Sequence, residues 1–213
     1  MAAGGEALPR DAGGAGDVLR DLRTATAVEH EQVETTLALM DHDLDAGRLV
    51  GVLALLHAFW RAAEEGLDAW AAAHPADAAA LQWDRRRRAE VYAADLAALG
   101  ADPADGDRPE LPAVPDTDAA LGRMYVLEGS TLGGTFIDRH LASLPGLAGG
   151  PRLRAFSPYG EDTGAMWAAF RRFTRAHVED GGDAGRVVAA ARSTFAVLAG
   201  WCAPAARPQG APA

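Results

Sequence analysis

Three residues near the start of this chain could act together on a metal and its surroundings: Arg23, His30 and Glu34. They fall in a segment that carries Leu19, Leu22, Thr26, His30, Val33 and Leu37 at three- and four-residue intervals, the pattern of an amphipathic helix with this stripe, His30 included, expected to face the core. Seven residues are close to two helical turns, so Arg23 lies on nearly the same face as His30, about 10.5 Å away along the axis. Glu34 is one turn beyond His30, within reach of the ring nitrogen that a metal would leave free, where it would fix the tautomer.

A core-facing guanidinium is costly unless an anion meets it. Haem (heme) would satisfy both side chains, offering iron to the imidazole and propionate carboxylates to Arg23 at about this separation. A plainer account stays open on these residues alone, with His30 a core or boundary histidine and Arg23 extended to solvent.

The second candidate cluster is LEGSTLGGTF, where Gly129, Gly133 and Gly134 interrupt an otherwise helical pattern. Each glycine costs a helix interior about 1 kcal/mol relative to alanine. Gly129 and Gly133 are one turn apart and would let the backbone bend and press against a flat ligand. A close helix crossing through small residues explains them equally well. Ser130 and Thr131 could hold water in such a pocket.

The elements needed to position these residues are helical. Ala and Leu dominate and β-branched residues are sparse in a chain that is 49% apolar, which predicts an all-α protein of one domain. The pattern predicts six helices. The first starts at an Asp17 cap and the second spans about Gly47 to Ala73. The third runs from about Ala76 to Leu99, and the fourth from a Thr117 cap through the glycines to about Leu144. The fifth spans Thr163 to Glu179, and the sixth runs from an Asp183 cap to Trp201. Residues 1–16 and 203–213 are rich in Gly, Ala and Pro without periodicity and are expected to be disordered tails around a helical domain at 17–202.

A net charge of −10 argues against nucleic acid as a partner, and all 20 basic residues are Arg. Cys202 is the single cysteine, so an intrachain disulfide or thiolate cluster is excluded. No apolar run of signal-peptide or membrane-span length is present, which predicts a cytoplasmic protein without a membrane partner. The WDRRRRAEVY run at Arg85 to Arg88 reads as a solvated face, and His42, His57, His74, His140 and His177 share no metal-ligand spacing.

Set together, LRTATAVEHEQVE and GRMYVLEGSTLGGTFI resemble the proximal and distal helices of the heme oxygenase family, in the right order along the chain. YVLEGSTLGG is especially similar to the bacterial branch that supplies biliverdin to bacteriophytochromes, and YGEDTGAMWAAF and ARSTFAVLAGW resemble that branch's closing helices. The likeness covers about Leu19 to Trp201. It implies a single-domain helical bundle with the ligand sandwiched between the first helix and a kinked distal helix. Haem would be both cofactor and substrate, opened with O2 and external electrons to biliverdin, CO and iron.

By position, the resemblance makes His30 the iron ligand, Glu34 its partner and Arg23 a propionate contact. Gly129, Ser130 and Gly133 become the catalytic distal wall, with Gly134 beside them against the cofactor. A second propionate would fall to Arg171, with Arg172 or Tyr159 as alternatives. Many family members carry Asp where this chain has Ser130, and Glu128 should point about 100° away on an ideal helix. The implied partners are a ferredoxin or flavin reductase, since no GxGxxG nucleotide motif is present, and a bacteriophytochrome as recipient of the product. The rival readings are a haem carrier or sensor that keeps the proximal site without turnover, a non-haem enzyme of the same architecture, and a purely structural module.

Overall fold

A computed structural model describes residues 17–103 and 106–203, and the described residues form nine α-helices and no strand. They are α1 (Val18–Ala25), α2 (Ala27–Leu37), α3 (Ala46–Ala73), α4 (Pro75–Ala80), α5 (Ala89–Ala98), α6 (Thr117–Gly129), α7 (Gly134–Ser143), α8 (Thr163–Glu179) and α9 (Ala184–Cys202). The expected tails lie outside the described residues, apart from Ala203, which caps α9.

The bundle is built around α6, whose residues are buried almost all round, as an apolar central helix must be. α9 packs along it and also against α1 and α2, and α8 packs against α1. The close α6–α9 approach depends on Gly122, where a Cβ would stand 2.3 Å from the Val187 carbonyl oxygen and 2.6 Å from Ala190 Cβ. The long α3 supplies Leu49, Leu53, Phe59, Trp60, Leu67 and Trp70 to the core and packs on α5.

The six expected helices become nine because three of them break, each for a local reason. The first is interrupted for one residue at Thr26, whose hydroxyl donates back to the Leu22 carbonyl at 2.8 Å, a bond known to bend helices. The third is divided at Gln82, which takes a positive φ of 54°, and a short 3-10 turn at Trp83–Arg85 redirects the chain before α5. The fourth ends at Gly129 and restarts at Gly134. The cap of α6 is Asp116, accepting from the Ala119 amide at 3.0 Å, with Thr117 already inside the helix.

Asp17 caps α1 by accepting from the Leu19 amide at 3.2 Å, and it also receives Nε and Nη2 of Arg175 on α8 at 3.2 and 2.9 Å. The Arg175 fork is the main cause that holds its carboxyl below the usual aspartate value, against an opposing burial effect. A depressed folded-state value stabilises above the unfolded value near pH 4 and loses that stabilisation as pH falls through the folded one. Asp17→Asn keeps a capping oxygen and removes the ion pair. It should cost about 1 kcal/mol by urea denaturation at pH 7, with the gap to the parent closing as pH falls below the usual aspartate range.

Candidate active site

On the first strut, Leu19, Leu22, Thr26, Val33 and Leu37 are buried, as the periodicity requires. His30 and Arg23 are not in the core: Arg23 is exposed and the His30 side chain is 52% exposed. The break at Thr26 and the width of the apolar face leave both at its open margin, so the expectation that His30 and Arg23 face the core fails, and a boundary histidine with Arg23 extended to solvent describes their placement. The His30 ring stands edge-on to Phe195 of α9, with centroids 5.9 Å apart. Its Nδ1 is 3.4 Å from Glu34 Oε2, long for a hydrogen bond but on the side expected for a tautomer-fixing partner. Among the described residues Nε2 takes no hydrogen bond, so the ring offers one nitrogen outward.

The second motif forms the junction of α6 and α7. There the backbone tightens into i→i−3 bonds, Thr131 to Glu128, Leu132 to Gly129 and Gly134 to Thr131, at 3.0 to 3.2 Å. The end of α6 is closed by side chains: Ser130 Oγ donates to the Leu127 carbonyl at 2.7 Å and Thr131 Oγ1 to the Glu128 carbonyl at 2.8 Å. Both hydroxyl protons are therefore spent on carbonyls of α6 and are not free to donate to pocket water.

The three glycines separate by the space around them. A Cβ at Gly129 or Gly133 would meet nothing within 4 Å, so the helix-crossing explanation fails for both. At Gly134 a Cβ would stand 1.8 Å from the Phe156 carbonyl oxygen; this buried glycine lets the 155–157 segment cross and is explained by packing instead of ligand contact. The bend thus presents bare, open backbone at Gly129 and Gly133.

Tyr125 stands one turn before Gly129, and burial pushes its phenol pKa up, with Thr26 and Arg23 opposing the rise. Its ring packs on Trp167 of α8, centroids 6.0 Å apart. Arg171 on α8 is half-buried and Arg172 exposed. Tyr159 is drawn away from a ligand role by donating to Glu128 Oε1 at 2.8 Å.

Behind the junction lies a cluster that the solvated-face reading of Arg85 to Arg88 missed. Arg85 and Arg87 are exposed, but Arg86 and Arg88 are each 1% exposed and converge on Glu128, also 1% exposed. Arg86 pairs with Glu128 Oε2 through Nη1 and donates to the Met166 carbonyl at 3.2 Å through Nη2. Arg88 Nη2 donates to Glu128 Oε1 at 3.1 Å, and its guanidinium lies 4.6 Å from the Trp60 ring centre and 5.2 Å from that of Tyr159. Glu64 accepts from the Arg88 and Ala89 amides, capping α5; burial raises its pKa and those two amides oppose the rise. Burial likewise pushes the Tyr159 phenol up to about 12. The signal available in the sequence was Glu128 itself, a carboxylate following the apolar Val126 and Leu127, which must have a cation to be buried.

An outward imidazole backed by a carboxylate, a nearby guanidinium and an open wall of bare glycine backbone define a helical protein that can clasp a flat, metallated, carboxylate-bearing ligand. Haem fits this donor set. A family model described as heme oxygenase matches residues 17–203. A heme oxygenase of Xanthomonas campestris pv. campestris (strain 8004) is 32% identical over 172 residues, covering 80% of this chain and 98% of that protein. The crystal structure of the NO- and CO-bound heme oxygenase from Neisseria meningitidis shares the fold, with a TM-score of 0.71 at 22% identity over 92% of this chain and 96% of that one.

The chain belongs to the heme oxygenase family. Its activity is accordingly the oxidative opening of haem, which is substrate and cofactor together, brings the iron, and needs reducing equivalents from outside the chain. Among the described residues no helix is long and apolar enough to cross a membrane.

Proposed function

We propose that haem enters between α2 and the α6–α7 junction, with Nε2 of His30 facing its iron, Glu34 holding Nδ1, and Arg23 and Arg171 each meeting a propionate. Gly129, Ser130 and Gly133 form the opposite wall. The observation that carries this reading is the pair of open positions in the two matched motifs: a half-exposed His30 imidazole with Glu34 beside its Nδ1, and bare backbone at Gly129 and Gly133 where a Cβ would meet nothing within 4 Å. When bound, haem supplies the O2-reducing iron and the ring that is opened.

The residues of the chain then have separable tasks. A neutral imidazole, kept in one tautomer by Glu34, gives a ligand without the electron push of an anionic one. Bare backbone at Gly129 and Gly133 lets the distal wall lie close over the ring and crowds whatever binds there toward its edge. Guanidiniums at the rim fix the rotation of the ring by pairing with carboxylates.

The physiological setting belongs to the same proposal: electrons from a ferredoxin or flavin reductase in the cytoplasm, and biliverdin passed to a bacteriophytochrome. Gly129→Leu tests the placement, because a side chain there meets no neighbour within 4 Å and projects into the proposed cleft. The variant should melt within a few degrees of the parent while its haem affinity, read from Soret titration, drops about tenfold or more. Unchanged affinity would move the cleft elsewhere.

A further inference from the structure

Arg88 is buried yet assigned no contact with a ligand, and its position gives it a task. Its Nη1 reaches Ser130 Oγ at 3.3 Å, while Nη2 is held by Glu128 and stands 3.5 Å from the Tyr159 hydroxyl. Ser130 spends its proton on the Leu127 carbonyl. A hydroxyl has one donor and two acceptor lone pairs. With the donor used and one lone pair taken by Arg88, Ser130 retains a single acceptor position and no capacity to donate.

Around Arg88 stand Glu128 and Tyr159 from the junction side, Arg86 across Glu128, Glu64 from α3 turned onto the α5 amides, and Tyr92 from α5. Two guanidiniums share one carboxylate in this cluster, so Glu128 is fully engaged and its geometry is over-determined. Any hydrogen bond that Ser130 makes on the open side of the junction is thereby set from behind, through a cation that is itself rigidly held.

Resting on the haem-binding reading above, we infer that Arg88 is a positioning residue: locked by Glu128 and Tyr159, it fixes Ser130 as a cation-backed hydrogen-bond acceptor on the distal wall and braces the bend between α6 and α7. The reactive side of the cleft is then organised by cations of the 86–88 segment, outside both helices that carry the recognisable motifs, acting through Glu128 at the end of α6. A merely structural Arg88 would stabilise the bundle without acting through Ser130.

The two roles separate in a double-mutant cycle of Arg88→Lys and Ser130→Ala, with exposed Arg87→Gln as the control. Two readouts are used: hydrogen exchange of the 127–134 amides in the protein without haem, and the pH midpoint of the visible spectrum of its ferric haem complex. Arg88→Lys should speed exchange at the junction about tenfold while leaving the amides of α9 unchanged. Arg88→Lys and Ser130→Ala should each move the spectral midpoint by about half a pH unit, and the double variant no further than either. Arg87→Gln should move neither readout. If Arg88→Lys fails to fold, Tyr159→Phe takes its place in the cycle, with the same non-additivity expected.

Additive midpoint shifts, or no shift from the Arg88 or Tyr159 variant, overturn the positioning role while leaving haem binding intact. Absence of a stoichiometric Soret change in the parent protein overturns the haem reading itself, and this inference with it.

Discussion

Glu128→Gln should lower the stability of the protein without haem by about 3–5 kcal/mol, the range for removing one partner of a buried ion pair. The glutamate sits between two guanidiniums that are each 1% exposed, and replacing its charge leaves two buried cations facing one neutral amide. Arg86 keeps the Leu81 and Met166 carbonyls, and Arg88 keeps its stacking on Trp60, so part of each guanidinium remains satisfied. Neither acceptor is an anion, and neither replaces the lost charge. Against total stabilities of about 5–15 kcal/mol for a domain, the loss corresponds to a fall in melting temperature of about 10 °C. Urea and thermal unfolding read it directly. A change within about 0.5 kcal/mol would mean that the cluster is solvated and that the junction is not braced from behind.

His30→Ala should do the opposite: almost nothing to the fold and nearly everything to activity. Half of this side chain is exposed, its one aromatic contact is the edge of Phe195, and its contact with Glu34 is at the surface. Unfolding without haem should therefore change by no more than about 0.5 kcal/mol. Biliverdin formation, assayed with a ferredoxin or flavin reductase as electron source, should fall about a hundredfold or more, since the imidazole is the only protein ligand proposed for the iron. Glu34→Gln should give a milder loss, about tenfold, because it weakens the proposed hold on Nδ1 and leaves the imidazole in place. The pairing of intact stability with lost turnover separates His30 from a residue that merely packs.

Much of this was legible because it rests on short-range rules. Asp17 and Asp183 cap α1 and α9 through bonds to amides two and three residues on, and of the stripe expected from helical periodicity Leu19, Leu22, Thr26, Val33 and Leu37 are buried while His30 stands at its open margin. The matched motifs around His30 and Gly129 pointed to the family, and the family is the one found.

What could not be read depends on partners distant in the chain. Gly129, Gly133 and Gly134 are alike in the sequence, and only the Phe156 carbonyl, 22 residues beyond Gly134, separates the packing glycine from the two open ones. Arg86 and Arg88 alternate with exposed neighbours because the chain leaves the helix at Gln82, where nothing local announces a positive φ. Their anion, Glu128, lies about forty residues away, and on an isolated ideal helix it points away from Ser130. Arg88 bridges the two, which helix geometry alone cannot show.

The central claim is that haem sits in the cleft beside α2 with the imidazole of His30 on its iron, and titration of haem into the parent protein and His30→Ala, followed in the Soret region, tests it most directly. The account predicts one equivalent bound by the parent with a sharp Soret band, and a lost or displaced band in His30→Ala that added imidazole restores. A His30→Ala complex with the same band position, intensity and stoichiometry as the parent would contradict it.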